Sequence, residues 1–269
     1  MLIGNRNFDA EHTHIMGILN VTPDSFSDGG RFNRTDKALK HALEMIDEGA
    51  EIIDVGGEST RPGYTGISDE EEIERVCPVI ELLKRETDVP VSLDTYKSKV
   101  ASAGISSGAD MINDIWGLKY DTHMAEVIAD SKLPCCLMHN RDNTKKPYAD
   151  FINDMLNDMR ETLKIAAGAG ISKKVIILDP GVGFGKSYEQ NLQAIKYLDR
   201  FASLGYPVLL GTSRKSVIGL TLNLPVDERM EGTVATSVIA AVNRCMFVRV
   251  HDVRENYHAI RMTEAVINA

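Results

Sequence analysis

Eight short apolar runs recur along the chain, and each ends in side chains that can hydrogen-bond, carry charge or bind a metal. The runs with their endings are Ile18-Leu19-Asn20, Ile52-Ile53-Asp54 (followed by Glu58, Thr60 and Arg61), Val91-Ser92-Leu93-Asp94, Met111-Ile112-Asn113-Asp114, Cys136-Leu137-Met138-His139-Asn140, Ile176-Ile177-Leu178-Asp179, Val208-Leu209-Leu210 (followed by Ser213, Arg214 and Lys215) and Val248-Arg249-Val250-His251. Strands buried on both faces of a parallel sheet read as continuous apolar runs of this kind. Because parallel strands point the same way, we expect these endings to line one pocket.

The segments between the runs carry helical signals, as expected if helices cross between parallel strands. Apolar residues after Thr35 follow helical spacing, and Pro78 should kink or split the next helical segment because proline supplies no amide hydrogen. Three pairs resemble helix amino-terminal caps: Ser68 with Glu71, Ser187 with Gln190, and Asp252 with Glu255. Helices and strands are therefore predicted to alternate throughout.

The number of alternations distinguishes two α/β architectures. Eight of them in about 250 residues match a closed (β/α)8 barrel, in which the carboxyl ends of the strands carry the binding residues. An open doubly wound sheet is the alternative, but it would concentrate polar endings near one topological switch point. Since every run ends in polar residues, we predict a single (β/α)8 TIM barrel domain at 15–269. The more polar residues 1–14 are predicted to form an amino-terminal cap or small hairpin.

Composition narrows the class of protein further. With 43% hydrophobic and 26% charged residues, the chain is typical of one globular domain, and no apolar stretch approaches the roughly 20 residues of a membrane span. Residues 1–14 lack the pattern of a signal peptide. The four cysteines show no Cys-x-x-Cys spacing and lie within apolar patterns, which is typical of buried thiols in a reducing compartment. We therefore expect a cytoplasmic protein without a membrane partner.

The net charge of the chain argues against a large polyanion as a partner but not against a small anion. The net charge of -9 argues against nucleic acid, because nucleic-acid-binding proteins usually carry a basic surface excess. Arg61, Lys215, Arg249 and His251 nevertheless follow or end strands, where they could form a local site for phosphate or carboxylate groups. A single Arg or Lys is usually solvated surface charge, but four such residues that converge on one barrel mouth favour an anion site.

Acceptor groups predominate at three other endings: Asp94, Asn113 and Asp179. A carboxylate offers two coplanar oxygens, so it can accept paired N–H bonds from an aminopyrimidinone edge. The alternative is that an aspartate after a strand caps the following helix or turn, and for Asp54 both interpretations stay open.

The glycine-rich segment 179–187 resembles a phosphate-binding loop only superficially. The Walker pattern requires glycine where the chain has Pro180, and the dinucleotide fingerprint requires its final glycine where the chain has Lys186. Neither fingerprint is therefore present.

Motifs in order from about Met16 to the carboxyl terminus resemble those of the dihydropteroate synthase family. They are residues 17–30 (GILNVTPDSFSDGG), 56–63 (GGESTRPG), 92–95 (SLDT), 112–117 (INDIWG), 137–140 (LMHN), 179–186 (DPGVGFGK), 212–216 (TSRKS) and 249–253 (RVHDV). The first two together are highly specific to this family. The resemblance implies a barrel that condenses 6-hydroxymethyl-7,8-dihydropterin pyrophosphate with p-aminobenzoate to give 7,8-dihydropteroate and pyrophosphate.

The resemblance also implies roles for particular residues. The pterin would be bound by Asp94, Asn113, Asp179 and Lys215, with apolar contacts from Ile115 and Met138. Pyrophosphate would bind Asn20, Arg61, Arg249 and His251, with Mg²⁺ bridging it to the Asn20 oxygen. The catalytic groups would be Asp28, Lys215, Arg249 and His251, with Asp28 stabilising a cation left when pyrophosphate departs. The second substrate would contact Phe26, Ser27, Thr60, Pro62, Phe184 and Ser216.

A homodimer through the late helices is implied as well, with Val234, Val238 and Val242 as either core or interface residues. Three other functions stay open. A corrinoid-dependent methyltransferase acting on tetrahydrofolate would share the barrel but lack the combined anion residues Asn20, Arg249 and His251. An aldolase would use Lys215 as a Schiff-base lysine. A catalytically silent pterin-binding protein would keep only the pterin residues.

Overall fold

The computed structural model describes residues 1–22, 31–59 and 66–269, and only the backbone of residues 31–34. The strands are β1 (Leu2–Ile3), β2 (Arg6–Asn7), β3 (His14–Asn20), β4 (Ile52–Gly56), β5 (Val91–Asp94), β6 (Met111–Asp114), β7 (Cys135–Met138), β8 (Ile176–Asp179), β9 (Leu209–Leu210) and β10 (Phe247–Val250). The helices are α1 (Arg31–Asp47), α2 (Asp69–Glu86), α3 (Ser98–Ser106), α4 (Met124–Ser131), α5 (Phe151–Gly168), α6 (Tyr188–Lys196), α7 (Leu198–Ala202), α8 (Ser216–Leu222), α9 (Met230–Val242) and α10 (Val253–Ile267).

One eight-stranded parallel sheet carries the architecture, in the order β8-β7-β6-β5-β4-β3-β10-β9. Its two ends meet where a parallel bridge pairs Leu178 of β8 with Val208, just before β9. The Leu178 N–H also donates to the carbonyl of Pro207 at 2.9 Å. The sheet is thus nearly closed, with helices between its strands, so the (β/α)8 TIM barrel prediction is confirmed and the open sheet is wrong.

The barrel interior is apolar at one end and polar at the other. Because side chains alternate along a strand, Ile52 and Asp54 of β4 share the inner face, while Ile53 and Val55 pack toward the helices. The apolar inner layer is Met16, Ile52, Met111, Cys136, Ile177, Leu209 and Phe247. Next to it pack Ile3 of β1 and Phe8, which follows β2, and these antiparallel strands therefore cover the amino-terminal end of the barrel.

Two local expectations about helices differ from the structure. Helix α2 runs unbroken through Pro78, so the predicted split is wrong; its buried face, which includes Val76, Val79 and Ile80, holds both halves against the barrel. Asp252 stands at the amino-terminal cap of α10 but makes no side-chain cap bond, because its carboxylate pairs with Arg214 instead.

The other two caps form with their side chains. Ser68 accepts a hydrogen bond from the N–H of Glu71, and Ser187 with Gln190 forms a complete reciprocal capping box before α6. Within the described residues, no helix combines the length and apolarity needed to span a membrane. All four cysteines are free thiols.

Two helical glycines provide a matched test of the packing between helix and barrel. An added Cβ at Gly104 in α3 would lie 2.2 Å from Leu93 Cδ2, whereas one at Gly168 in α5 would meet nothing within 4 Å. We expect Gly104→Ala to lower the free energy of unfolding by about 1 to 2 kcal/mol, because overpacking outweighs the gain in helix propensity. Gly168→Ala should raise it by up to about 1 kcal/mol. Urea denaturation checks both, and stabilisation by Gly104→Ala would contradict the packing described.

Candidate active site

A guanidinium that bridges two carboxylates lies at the polar end of the barrel. Arg249 of β10 donates from Nε to Asp54 Oδ2 at 2.6 Å and from Nη2 to Asp94 Oδ2 at 2.6 Å. The side chain of Asp54 is fully buried, and those of Asp94 and Arg249 are 12% and 18% exposed. Burial raises the pKa of Asp94, and the adjacent Arg249 opposes that rise. The three strand ends are thereby joined across the barrel interior.

Asn113 of β6 is oriented by the same carboxylate. Its Nδ2 donates to Asp54 Oδ2 at 3.2 Å, so its amide oxygen is the atom left for another donor. The Asn113 side chain thus presents an acceptor beside the carboxylates of Asp94 and Asp54, and the predicted binding of a pterin by Asp94 and Asn113 stays a prediction.

Asp179 and Lys215 form the second charged group of the site. A Cβ at Gly211 would lie 3.6 Å from Asp179 Oδ2, 3.8 Å from Lys215 Nζ and 3.8 Å from Arg249 Cβ, so the missing side chain at Gly211 leaves room for all three. Burial raises the pKa of Asp179, and it lowers the pKa of Lys215 to about 8. In this arrangement Lys215 donates to the Val182 carbonyl.

Asn20, Arg249 and His251, which were predicted to bind anions, lie at the same end of the barrel. Asn20 ends β3, and a Cβ at Gly56 would lie 3.6 Å from Asn20 Oδ1 and 3.8 Å from Asp94 Oδ2. His251 follows β10, and its Nδ1 lies 2.9 Å from Ser213 Oγ. Asn20 and Arg249 therefore both adjoin Asp94, and Ser213 orients the imidazole.

The remaining predicted site residues fall into two groups. Ile115 is buried just after β6, and Met138 is buried at the end of β7. Phe184 is half-buried, with its ring centroid 4.8 Å from Lys215 Nζ. Ser216 is exposed and is the first residue of α8. The other predicted site residues lie outside the described residues: Phe26, Ser27, Asp28, Thr60, Arg61 and Pro62.

A magnesium ion fits the chemistry of the Asn20 position but would have few protein ligands. Among the described residues, no group of three or more histidine, cysteine, aspartate or glutamate side chains could hold a metal ion. The Asn20 amide oxygen beside Gly56 is a hard donor, and Mg²⁺ commonly binds one or two protein oxygens together with substrate phosphates. The donor set is thus compatible with a metal that arrives with its substrate.

Lys186 has a role that the sequence did not predict. Its ammonium donates to the carbonyls of Gly181 at 2.7 Å, Phe184 at 2.9 Å and His139 at 3.3 Å. All three ammonium hydrogens are thereby used on the main chain, so the lysine ties the loop that carries Phe184 to the end of β7. The three close glycines around it gave no signal for this role, since they resemble a phosphate loop only superficially and match neither fingerprint.

His139 is structural rather than part of the lined pocket. Its Nε2 lies 3.2 Å from Asp158 Oδ2, and the same carboxylate accepts from Arg141 Nε at 2.6 Å. Burial lowers the pKa of His139 to about 3, so the ring is neutral at pH 7.

A second buried ionic cluster anchors the segment after β4. Lys97 pairs with Glu58 and, at 2.8 Å, with Glu72, while Tyr96 donates its hydroxyl hydrogen to Glu58. Lys97 also donates to the carbonyl of Ile67 at 2.8 Å. Glu58 was predicted as a polar ending, but its partners come from two other parts of the chain, and sequence spacing gives no signal for that pairing.

Known proteins share both the sequence and this architecture. Residues 16–251 match the family model described as pterin binding enzyme. The sequence is 61% identical to a dihydropteroate synthase of Clostridium beijerinckii, and the alignment covers 99% of each chain. A crystal structure of the dihydropteroate synthase of Clostridium difficile, in the presence of pteroic acid, has a TM-score of 0.94 at 49% identity, covering 98% of this chain and 100% of that one.

A structure of the Xanthomonas albilineans dihydropteroate synthase with 4-aminobenzoic acid has a TM-score of 0.93 at 41% identity, covering 98% and 97% of the two chains. The barrel and its lined carboxyl end define the class as pterin-binding barrel enzymes. Within that class, the chain belongs to the dihydropteroate synthase family.

Proposed function

We propose that this chain joins 6-hydroxymethyl-7,8-dihydropterin pyrophosphate to p-aminobenzoate, giving 7,8-dihydropteroate and pyrophosphate for folate synthesis. One observation carries the proposal: buried acceptors for a pterin edge lie in direct contact with a guanidinium suited to pyrophosphate, at one end of one barrel. A substrate that contains both groups would meet both sets at once. Relatives named dihydropteroate synthases support the same activity.

The pterin is recognised through its N–H groups and its ring oxygen. Asp94, Asp179 and the oxygen of Asn113 accept from the N–H groups, and Lys215 donates to the ring oxygen and nitrogen. Buried Ile115 and Met138 contact the ring. Because Lys215 now donates to a main-chain carbonyl, pterin binding exchanges that bond for one to the ligand.

Departure of pyrophosphate is the demanding step. The carbon–oxygen bond breaks, the electron pair leaves with pyrophosphate, and the exocyclic carbon becomes a cation that the dihydropterin ring delocalises. Arg249, His251, Arg61 and Asn20 hold the departing oxygens, and each well-placed donor contributes about 3 kcal/mol of transition-state stabilisation. A magnesium ion bound through Asn20 would neutralise part of the phosphate charge. Asp28 would stabilise the cation.

The second substrate then attacks as a neutral arylamine. Its nitrogen lone pair forms the new carbon–nitrogen bond, and the amine proton passes to water. Phe184 packs against the aromatic ring, and the exposed Ser216 hydroxyl donates to the carboxylate. Phe26, Ser27, Thr60 and Pro62 complete this pocket in our proposal.

The ligand-free pairing of Arg249 with Asp94 has a consequence for substrate binding. Asp94 Oδ2 is used by Arg249, so a pterin that bonds to the same oxygen must share or displace the guanidinium. A displaced Nη2 would then be available for the pyrophosphate of the same substrate. Binding of the two ends of the substrate is therefore expected to be coupled.

The activity is tested by pyrophosphate release from the purified chain given both substrates and Mg²⁺. We expect release that depends on p-aminobenzoate and is abolished by a chelator and restored by Mg²⁺. Release without p-aminobenzoate dependence would overturn the synthase proposal, whereas chelator-resistant release would overturn only the role of magnesium.

Substitutions should show which residues of the pocket bind the pterin and which bind p-aminobenzoate. Asp179→Ala should weaken pterin binding by roughly 10- to 100-fold, because it removes a charged acceptor. Ser216→Ala should raise the KM for p-aminobenzoate several-fold and leave the pterin Kd within about 2-fold of the parent, because it removes one neutral hydrogen bond. Calorimetry and steady-state kinetics measure both. Loss of pterin binding in Ser216→Ala would contradict the division.

We further propose a homodimer through α8, α9 and α10. Apolar side chains on these neighbouring helices are exposed, with Leu220 at 66%, Val242 at 56%, Met262 at 64% and Val266 at 62%. Val234 and Val238 are half-buried, so Val242 is the member of the predicted valine set best placed for an interface. Large exposed apolar side chains grouped on neighbouring helices are typical of protein interfaces.

Sedimentation tests the homodimer with a matched pair of variants. Val242→Glu should shift the protein to monomers, because it buries a charge in the interface, whereas Ile165→Glu on α5 should leave the dimer intact. A monomeric parent, or a dimeric Val242→Glu, would contradict the proposed interface.

The free, mostly buried thiols support a reducing cytoplasmic location.

A further inference from the structure

Asp54 is a fully buried acid that the proposed chemistry does not use. It lies within β4, where its strand neighbours Ile53 and Val55 face the helices and its own carboxylate faces the barrel interior. Its contacts are with two site residues rather than with a helix terminus, so the helix-cap alternative for Asp54 is wrong.

A single oxygen of Asp54 joins one residue from each half of the site. Oδ2 accepts from Arg249 Nε at 2.6 Å and from Asn113 Nδ2 at 3.2 Å. The first contact fixes the inner edge of the guanidinium, which leaves the Nη atoms for Asp94 and for ligands. The second contact sets which end of the amide faces outward, because a carboxylate accepts only from the NH₂ end.

The other oxygen makes the burial of Asp54 costly. Asp54 Oδ1 is buried and has no hydrogen-bond partner among the described residues, and the same is true of Ser92 Oγ on β5. The two residues are register partners in the parallel pair β4–β5. A buried carboxylate oxygen without a partner destabilises the fold, so packing alone does not account for an acid at this position.

We propose that Asp54 is a positioning residue that turns the oxygen of Asn113 toward the pterin and holds Arg249 in place for the pyrophosphate. The inference rests on the proposed function, since it names the two ends of the same substrate. Asp54 touches neither end and acts through its two partners.

Three variants separate positioning from a general loss of stability. Asp54→Ala removes both contacts. Asp54→Asn removes the charge but keeps an oxygen acceptor for Arg249 and Asn113. Asp110→Ala is the matched control, because Asp110 is also an acid paired with a cation, Lys84, but lies at the opposite end of the barrel before β6.

Calorimetry with 6-hydroxymethylpterin and, separately, with inorganic pyrophosphate and Mg²⁺ gives the readout at a temperature where every variant is folded. We expect Asp54→Ala to raise both Kd values roughly 10- to 100-fold, as loss of charged hydrogen bonds would, and Asp54→Asn to recover most of that loss. Asp110→Ala should bind both probes like the parent. Equal effects of Asp54→Ala and Asp110→Ala, or no recovery by Asp54→Asn, would overturn the proposal.

A double-mutant cycle isolates the link to Arg249. If Asp54 acts through the guanidinium, Asp54→Ala and Arg249→Met should be strongly non-additive in the Kd for pyrophosphate; additive effects would overturn that link. These binding measurements need no turnover. Absence of p-aminobenzoate-dependent pyrophosphate release with the Asp54 pattern intact would refute the proposed function alone, and the reverse result would refute the role of Asp54 alone.

Discussion

The ion pair of Arg249 with Asp54 and Asp94 is the interaction around which the polar end of the barrel is organised. It joins β4, β5 and β10 at hydrogen-bond distances of 2.6 Å in surroundings that exclude most water. Removing one member of such a buried pair leaves an uncompensated charge, which destabilises far more strongly than loss of a surface pair. The two acids therefore fix the position of the guanidinium before any ligand arrives.

The balance of charge around this ion pair favours a substrate that brings a cation with it. Among the described residues, the acids Asp54, Asp94 and Asp179 face the cations Arg249, Lys215 and Lys186, so no positive charge is left over for an added anion. A pyrophosphate adds further negative charge beside Asp94. In the proposed reaction, Mg²⁺ or a proton on Asp94, whose pKa burial raises, would offset the repulsion. The proposal of a magnesium ion therefore rests on this electrostatic argument and not on a cluster of metal ligands among the described residues.

Sequence patterns predicted the barrel well because they depend on local burial. Strands covered on both faces must be apolar, so their runs and polar endings were readable without any partner being known. Partnerships across the chain were not readable: the ion pair of Asp54 with Arg249 spans 195 positions, and Asp252 gave its carboxylate to Arg214 instead of to α10. The glycine spacing around Lys186 excluded a phosphate loop, but it could not reveal that three carbonyls accept from the ammonium of this lysine.

The two ends of the barrel have different roles: the amino-terminal end contributes apolar packing, and the carboxyl end carries the polar site. At the amino-terminal end, Ile3 and Phe8 pack on Phe247 and the apolar inner layer, and that end is therefore closed to ligands. Ligands must enter where β3 to β10 end, and this is also where Asp54 Oδ1 and Ser92 Oγ remain buried without partners among the described residues. Polar groups that cost stability are tolerable there because the closed apolar end supplies compensating burial. The costly acid Asp54 can then be retained for what it positions, which is the oxygen of Asn113 and the guanidinium of Arg249.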